Sequence, residues 1–292
     1  MKKSIQILFL VIIVFCGFQS CTKEVFVEIP DNDPKLVVFS YLSPSNDSIE
    51  ITVSKSVPLY YVRDYEESLT VSDAIVELKA ENSNWVRVPF RPGEDVYRIS
   101  RHDFPVEQGQ KYSLRVAANN YKTVESSIII PVSYEINLSF LKVENSSGNE
   151  ENPIQYILKF QDIGGVPNYY GFLAWVNMYS DESGNTGVYK QDLYLEDFSW
   201  VMTDRVFDGK EKMISFTFYS FTNGNIGDTL FVKVMQTDSH FYHFHSSLNS
   251  YNSSDGNPFA EPTPIYSNIQ DGLGCFAGYT ERIYVFPMPG KK

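Results

Sequence analysis

The chain has 292 residues, of which 36 are acidic and 24 basic, and its formal net charge is −12. This length predicts about two domains, and an apolar fraction of 43% excludes a disordered chain. The negative charge argues against a nucleic-acid partner, because proteins gain much of their affinity for nucleic acids by neutralising phosphates with Lys and Arg.

The N-terminus predicts export and a lipid anchor. Two lysines precede an apolar run from Ile5 to Phe18, which is too short to span about 30 Å of hydrocarbon comfortably and is typical of a signal peptide. We therefore expect residues 1–20 to be removed. Ser20, a small residue, comes directly before Cys21, as at the cleavage site of bacterial lipoproteins, so we expect Cys21 to carry lipid. An ordinary secretory signal with an incidental cysteine is the alternative.

Cysteine usage fits an anchored, exported protein. Cys16 would leave with the signal peptide and Cys21 would be acylated, which leaves Cys275 alone in the mature chain. We therefore expect no disulfide framework. Residues 21–34 are rich in charge, Asp, Asn and Pro and are predicted to form a tether before the first strand.

The first half of the chain predicts β-strands. In Ser48–Lys55 the apolar residues Ile49, Ile51 and Val53 alternate with polar ones, as in a strand with one buried face. The same pattern recurs in six further segments: Leu36–Leu42, Ala74–Lys79, Trp85–Val88, Val96–Ile99, Tyr112–Ala117 and Thr123–Ile130. Strands at this spacing predict an immunoglobulin-like β-sandwich over residues 35–132.

The second half predicts a β-rich domain over residues 133–288 with one amphipathic helix near 239–251. Phe241, Phe244 and Leu248 recur there at helical spacing, after Asp238 as a possible cap. The predicted strands are Ile136–Phe140, Ile154–Phe160, Tyr170–Tyr179, Val188–Tyr194, Met213–Tyr219, Thr229–Met235 and Arg282–Phe286. The expected fold class is therefore all-β, with one helix.

The sequence contains no familiar catalytic signature. There is no G-x-S-x-G, H-E-x-x-H, Walker or dinucleotide-binding motif, so we predict no catalytic residues and no cofactor. His240 and His243 have the i, i+3 spacing that metal sites use. Since no carboxylate or cysteine accompanies them at ligand spacing, we favour a helix packed through its rings over a metal site.

Tyrosines in one irregular segment are candidates for a binding surface. Tyr60, Tyr61 and Tyr65 lie close together beside two glutamates, and Tyr offers a large rigid contact with a polar tip. The alternative is that β-sheets favour aromatic residues in any case.

Several segments resemble a known family. They are Val71–Val76, Gly109–Leu114, Asn120–Tyr121, Asp162, Asn168–Tyr170, Phe207–Lys210 and a C-terminal signature that includes Asn268, Gly272, Gly274 and Phe276. Across residues 35–286 the chain resembles a Bacteroidetes-type lipoprotein family that is known as a domain of unknown function.

This resemblance implies a location and a partner. Members resemble outer-membrane lipoproteins, often encoded beside TonB-dependent receptors. It therefore implies a protein held in the outer membrane by lipid on Cys21, for which we favour the cell surface over the periplasmic face. The expected function is binding or accessory work beside such a receptor in nutrient capture or uptake. An exported metal-dependent hydrolase and a structural or adhesive envelope protein are the alternatives.

The C-terminal signature also makes physical predictions. Glycine density at Gly272, Gly274 and Gly278 predicts tight turns or a close approach of two chains that a Cβ would block. A phosphate-cradling loop is the alternative. Cys275 is expected to be a small buried side chain and not a reactive thiol.

Overall fold

The computed structural model describes residues 33–58, 68–144, 153–179, 188–195, 200–218, 225–254, 261 and 263–287. Residues 1–20, Cys21, Tyr60, Tyr61 and Tyr65 lie outside these ranges, so their predicted roles stay predictions. Within the described ranges, no helix has the length and apolar character needed to cross a membrane.

The described residues form sixteen strands and one helix, which confirms the expectation of a mostly β chain. The strands are β1 (Leu36–Leu42), β2 (Ser48–Lys55), β3 (Ile75–Ala80), β4 (Val86–Val88), β5 (Phe90–Arg91), β6 (Val96–Ser100), β7 (Lys111–Ala117), β8 (Val124–Ile129), β9 (Asn137–Glu144), β10 (Ile154–Gln161), β11 (Tyr169–Tyr179), β12 (Val188–Leu195), β13 (Val201–Thr203), β14 (Glu211–Phe218), β15 (Asn225–Thr237) and β16 (Leu273–Pro287). The helix, α1, is Ser239–Ser254, so it begins where the sequence predicts and ends three residues later.

The strands form two sheets. Twelve strands make a mixed sheet in the order β5-β6-β2-β1-β16-β15-β11-β12-β14-β10-β9, with β13 paired to β11, and four make a second sheet in the order β4-β3-β7-β8. One hydrophobic cluster takes its side chains from β1, β2 and β6 of the large sheet and from β3, β7 and β8 of the small one. Two sheets thus share one core. The specific immunoglobulin-like arrangement of residues 35–132 stays a prediction.

A second cluster fills the later part of the chain, from Ile136 to Val234. The first cluster also includes Ile269 and Phe276 from the C-terminal segment, and the large sheet contains strands from both halves of the chain. The predicted division into domains at 132–133 stays a prediction.

Strand β16 differs from its prediction. The alternating pattern predicted a strand over Arg282–Phe286, whereas β16 begins at Leu273 and pairs in parallel with β1 through Val38↔Gly274 and Ser40↔Phe276. Glycines concealed the first half of the strand, since glycine is usually a sign of a turn or bulge. Gly274 has φ +114°, and a Cβ there would lie 2.0 Å from the carbonyl oxygen of Val38. The close-approach interpretation is therefore correct at Gly274, and a phosphate loop does not fit a glycine inside a strand.

Helix α1 is fixed to the sheet at its first turn. Asp238 Oδ1 accepts a hydrogen bond from the Phe241 N–H at 2.8 Å, which is the geometry of a helix cap. Its other oxygen, Oδ2, accepts from the Gly278 N–H of β16 at 2.9 Å. Phe241 and Phe244 are buried in a third cluster with Cys275 and Ala277 of β16. One aspartate thus sets both the start of the helix and its position on the sheet.

Candidate functional site

A groove of about 500 Å³ opens between helix α1 and the neighbouring strands β11 and β13. Its lining residues come from three parts of the chain: Tyr169, Thr203 and Arg205; Tyr242, His243, Ser246, Ser247 and Ser250; and Tyr266. A second cavity of about 440 Å³ shares Tyr169, Thr203 and Arg205 with it and extends towards Asp204 and Asp208. The two cavities are therefore neighbours that meet at these three residues.

The amphipathic helix explains why the groove is polar. Phe241 and Phe244 face the third cluster and are buried, so residues one position further along the helix point elsewhere. Tyr242, Ser246 and Ser250 follow at intervals of four and therefore lie on one side of the helix, at the groove. The small serine side chains leave the space that the groove occupies.

Aromatic rings make up much of the groove wall. The ring centroids of Tyr169 and Tyr242 are 5.3 Å apart, those of Tyr242 and His243 are also 5.3 Å apart, and those of His243 and Tyr266 are 5.5 Å apart. These are ordinary distances for packed rings. The rings form a continuous strip that runs from β11 across the helix to the segment before β16.

Hydrogen bonds hold Tyr266 at the end of this strip. Its hydroxyl lies 2.6 Å from Nδ1 of His240, and its backbone N–H donates to Ser247 Oγ at 2.9 Å. Ser247 Oγ in turn donates to the carbonyl of Phe244 at 2.8 Å. Burial lowers the pKa of His240 and raises the pKa of Tyr266, so a neutral imidazole faces a neutral phenol.

The structure gives His240 and His243 different surroundings. His240 is partly buried and in contact with Tyr266, while His243 is exposed on the groove wall. Among the described residues, no third histidine, cysteine or carboxylate gathers with them into a possible metal site. Their ring contacts are those of a helix packed through aromatic side chains.

Other polar groups of the groove make no hydrogen bond with the described part of the chain. They are the hydroxyls of Tyr169, Tyr242 and Ser246, the imidazole of His243 and the guanidinium of Arg205. Arg205 and His243 are also exposed. The groove therefore presents both donors and acceptors to whatever enters it.

An acidic cluster lies beneath the second cavity. One oxygen each from Asp162, Asp204 and Asp208 lie within 4.8 Å of one another, the one such cluster of possible metal ligands in the described ranges. A backbone N–H donates to one oxygen of each carboxylate: Gly209 to Asp162 at 2.7 Å, Asn168 to Asp204 at 2.8 Å and Gly165 to Asp208 at 2.8 Å. These hydrogen bonds explain why the three aspartates lie together, since they join two loops.

Two tyrosines, of which Tyr170 is buried and Tyr134 partly buried, complete this hydrogen-bond network. Tyr170 donates to Asp162 at 2.5 Å, and Tyr134 bonds with Asn168 and lies 3.1 Å, oxygen to oxygen, from Tyr170. Burial raises the pKa of Tyr134 and of Tyr170, so both remain neutral donors at physiological pH. The network fixes the loop that leads into β11 and thereby positions Tyr169.

The C-terminal signature is structural. The Asn268 side chain donates to the Phe276 carbonyl at 2.6 Å and accepts from the Phe276 N–H at 3.0 Å. A Cβ on Gly272 would lie 2.9 Å from the carbonyl oxygen of Leu36. Cys275 is buried, and burial raises the pKa of its thiol, which confirms that it is a packed side chain. The signature holds β16 against β1.

Sequence reasoning found parts of the groove without recognising it. Tyr169 lies in a segment that resembles the family, and His240 and His243 lie on the predicted helix, but Thr203 and Arg205 carry no such signal. The missing signal is tertiary, because Thr203 comes to the groove through its pairing with Tyr169 in the β11–β13 ladder. A three-residue strand has too little sequence to show a period.

The protein is β-rich, and the residues of its C-terminal signature hold β16 against β1. Residues 22–284 match the family described as Domain of unknown function (DUF4249), and the chain belongs to that family. No protein of curated function matches the chain significantly.

Proposed function

We propose that this protein is a non-enzymatic binding or accessory module, held in the outer membrane by lipid on Cys21, that works beside a TonB-dependent receptor in nutrient capture or uptake. The observation that carries the proposal is the open groove, where rings and free polar groups converge. The acidic residues beside it accept hydrogen bonds from backbone N–H groups. Such a surface is suited to holding a ligand.

The described architecture supports a rigid platform for that surface. We further propose that residues 35–132 form an immunoglobulin-like sandwich, supported by the single core that the two sheets share. Hydrogen bonds fix the elements that line the groove. Asp238 joins helix α1 to β16, and the Asp162 network holds the start of β11. A preorganised site loses less free energy on binding.

The receptor partnership is tested by affinity capture. The tagged full chain is purified from detergent-solubilised membranes of cells grown under several nutrient conditions, and the co-purified proteins are identified. We expect a TonB-dependent receptor among them. Recovery of none under any condition would contradict the proposal.

The anchor is tested separately with Cys21→Ser. Each buried methylene of an acyl chain contributes about 0.8 kcal/mol to membrane binding, so loss of several chains should release the protein from the membrane fraction or leave the signal peptide uncut. Cys275→Ser is the control and should pellet with membranes. If Cys21→Ser still pellets and fatty-acid labelling marks neither variant nor wild type, the anchor is elsewhere.

A further inference from the structure

We propose that the groove between α1 and β11–β13 binds a neutral saccharide, which it holds by ring stacking and hydroxyl hydrogen bonds. This inference rests on the proposed binding function and names its ligand class. It does not depend on the receptor or the anchor.

The rings set the first requirement on the ligand. Tyr169 and Tyr242 pack against each other in a tilted arrangement, with ring centroids 5.3 Å apart and an interplanar angle of 33°, and both are partly exposed in the groove. Aromatic faces carry negative partial charge and attract the weakly positive C–H groups of a ligand. Sugar rings present such C–H faces, whereas a flat or purely charged ligand does not.

The unpaired polar groups set the second requirement. Arg205 offers only donors, while the hydroxyls of Ser246 and the tyrosines donate and accept. A hydrophobic ligand would leave these groups without partners, which is costly for groups that are withdrawn from water. A ligand with several hydroxyls, each of which is both donor and acceptor, matches the mixture.

The charges at and beside the groove are mixed and give no net preference for an acidic ligand. Arg205 and His243 border the groove, but Asp204 and Asp208 line the cavity that continues from it. The whole chain has a net charge of −12, so its long-range field repels anions. The matching ligand is therefore hydroxyl-rich and uncharged.

The test uses saturation-transfer NMR and calorimetry on the full chain with maltotriose, cellotriose, xylotriose and mannotriose. Trigalacturonate serves as the charged counterpart and tetra-alanine as the peptide counterpart. We expect at least one neutral trisaccharide to bind and neither counterpart to compete with it. Absence of binding by all four, or preferred binding of trigalacturonate or tetra-alanine, would overturn the inference.

Two pairs of variants place the ligand in the groove. Tyr242→Ala should weaken binding about tenfold, the equivalent of one stacking contact, while Tyr251→Ala, on an exposed tyrosine outside the groove, should not. Ser246→Trp fills the groove without removing any core side chain and should abolish binding, while Asn252→Trp at an exposed position should not. Wild-type affinity in Ser246→Trp would refute the site. Receptor capture without saccharide binding would refute this inference alone, and saccharide binding without receptor capture would refute only the partnership.

Discussion

At the scale of single residues, Gly274 and Asp238 fix the position of β16. Gly274 lies where β1 and β16 approach closely, and Asp238 joins the helix to the same strand. Gly274 is small and Asp238 is polar, so neither contributes to an apolar pattern in the sequence. Their roles appear only when distant segments of the chain are brought together.

Gly274→Ala should destabilise the protein severely. The new Cβ would lie 2.0 Å from the Val38 carbonyl oxygen, and the residue would also have to hold φ +114°. We expect a loss of more than about 3 kcal/mol in the free energy of unfolding, measured by urea denaturation. Gly93→Ala is the matched control, since Gly93 has φ +89° but nothing within 4 Å of the added carbon, so it should lose only about 1 kcal/mol. Equal losses in the two variants would show that the positive φ, and not the close approach to Val38, causes the destabilisation.

Asp238 should make stability depend on pH. Burial raises the pKa of Asp238 to about 7, although hydrogen bonds from Phe241, Gly278 and His240 oppose the shift. The folded state therefore keeps a proton that the unfolded state, with an ordinary pKa of about 4, releases. This contribution is fully present below pH 4 and is lost as the pH rises to about 7, on the order of 4 kcal/mol.

Asp238→Asn tests this dependence. The amide keeps the cap on Phe241 but cannot accept from Gly278 N–H through its nitrogen, so mean stability should fall slightly. The decline in stability between pH 4 and 7 should become shallower, as measured by thermal unfolding across that range. If stability declines with pH as steeply in this variant as in the wild type, a group other than Asp238 causes the pH dependence.

At the scale of elements, regular strands were predictable and irregular ones were not. Leu36–Leu42 and Ser48–Lys55 have the same bounds in the structure as in the alternating pattern, because each buries one face. β5 and β13, with two and three residues, are too short to show a period. The first half of β16 was missed because its glycines are required by a neighbouring strand, which sequence cannot show.

Asn268 substitutes for a missing strand beside β16. The ladder between β15 and β16 reaches only as far as Tyr279, and the Asn268 amide supplies the partners for Phe276 beyond it. Asn268→Ala would leave a donor and an acceptor unpaired at a residue that is 0% exposed, at a cost of about 2–4 kcal/mol.

Chemical denaturation of Asn268→Ala and Asn268→Asp measures this cost. The aspartate keeps an acceptor for the Phe276 N–H but sets a carboxylate oxygen against the Phe276 carbonyl oxygen, where the amide donates at 2.6 Å. Its loss should therefore be at least as large as that of the alanine variant. A loss below about 0.5 kcal/mol in the alanine variant, the range of ordinary surface substitutions, would contradict the role.

At the scale of the whole molecule, the groove was less predictable than the fold. Its lining combines a helix, two strands, a turn and the segment before β16, and most of these are far apart in sequence. The helix and its ring-bearing side were predictable from periodicity. Arg205 was not, since it lies in a turn after β13 whose place is set by pairing with β11.

Removing β16 should unfold the protein. This strand lies between β1 and β15 in the large sheet and supplies Phe276 to the first cluster and Cys275 to the third. A chain that ends at Asp271 should show no cooperative thermal transition by circular dichroism, while a chain that ends at Pro287 keeps every described strand and should melt like the wild type. A cooperative transition in the shorter chain would show that the first half folds alone.

The parallel pairing of β1 with β16 also has a consequence for biosynthesis. A ribosome makes β1 among the first and β16 among the last of the strands, so β1 must wait for nearly the entire chain before it gains its second neighbour. Contacts between such distant parts of a chain slow folding. Until β16 arrives, one edge each of β1 and β15 is open to pairing with other chains. We therefore expect nascent chains to depend on chaperones that keep them unfolded, and prematurely terminated chains to be aggregated or degraded and not to persist as partly active fragments.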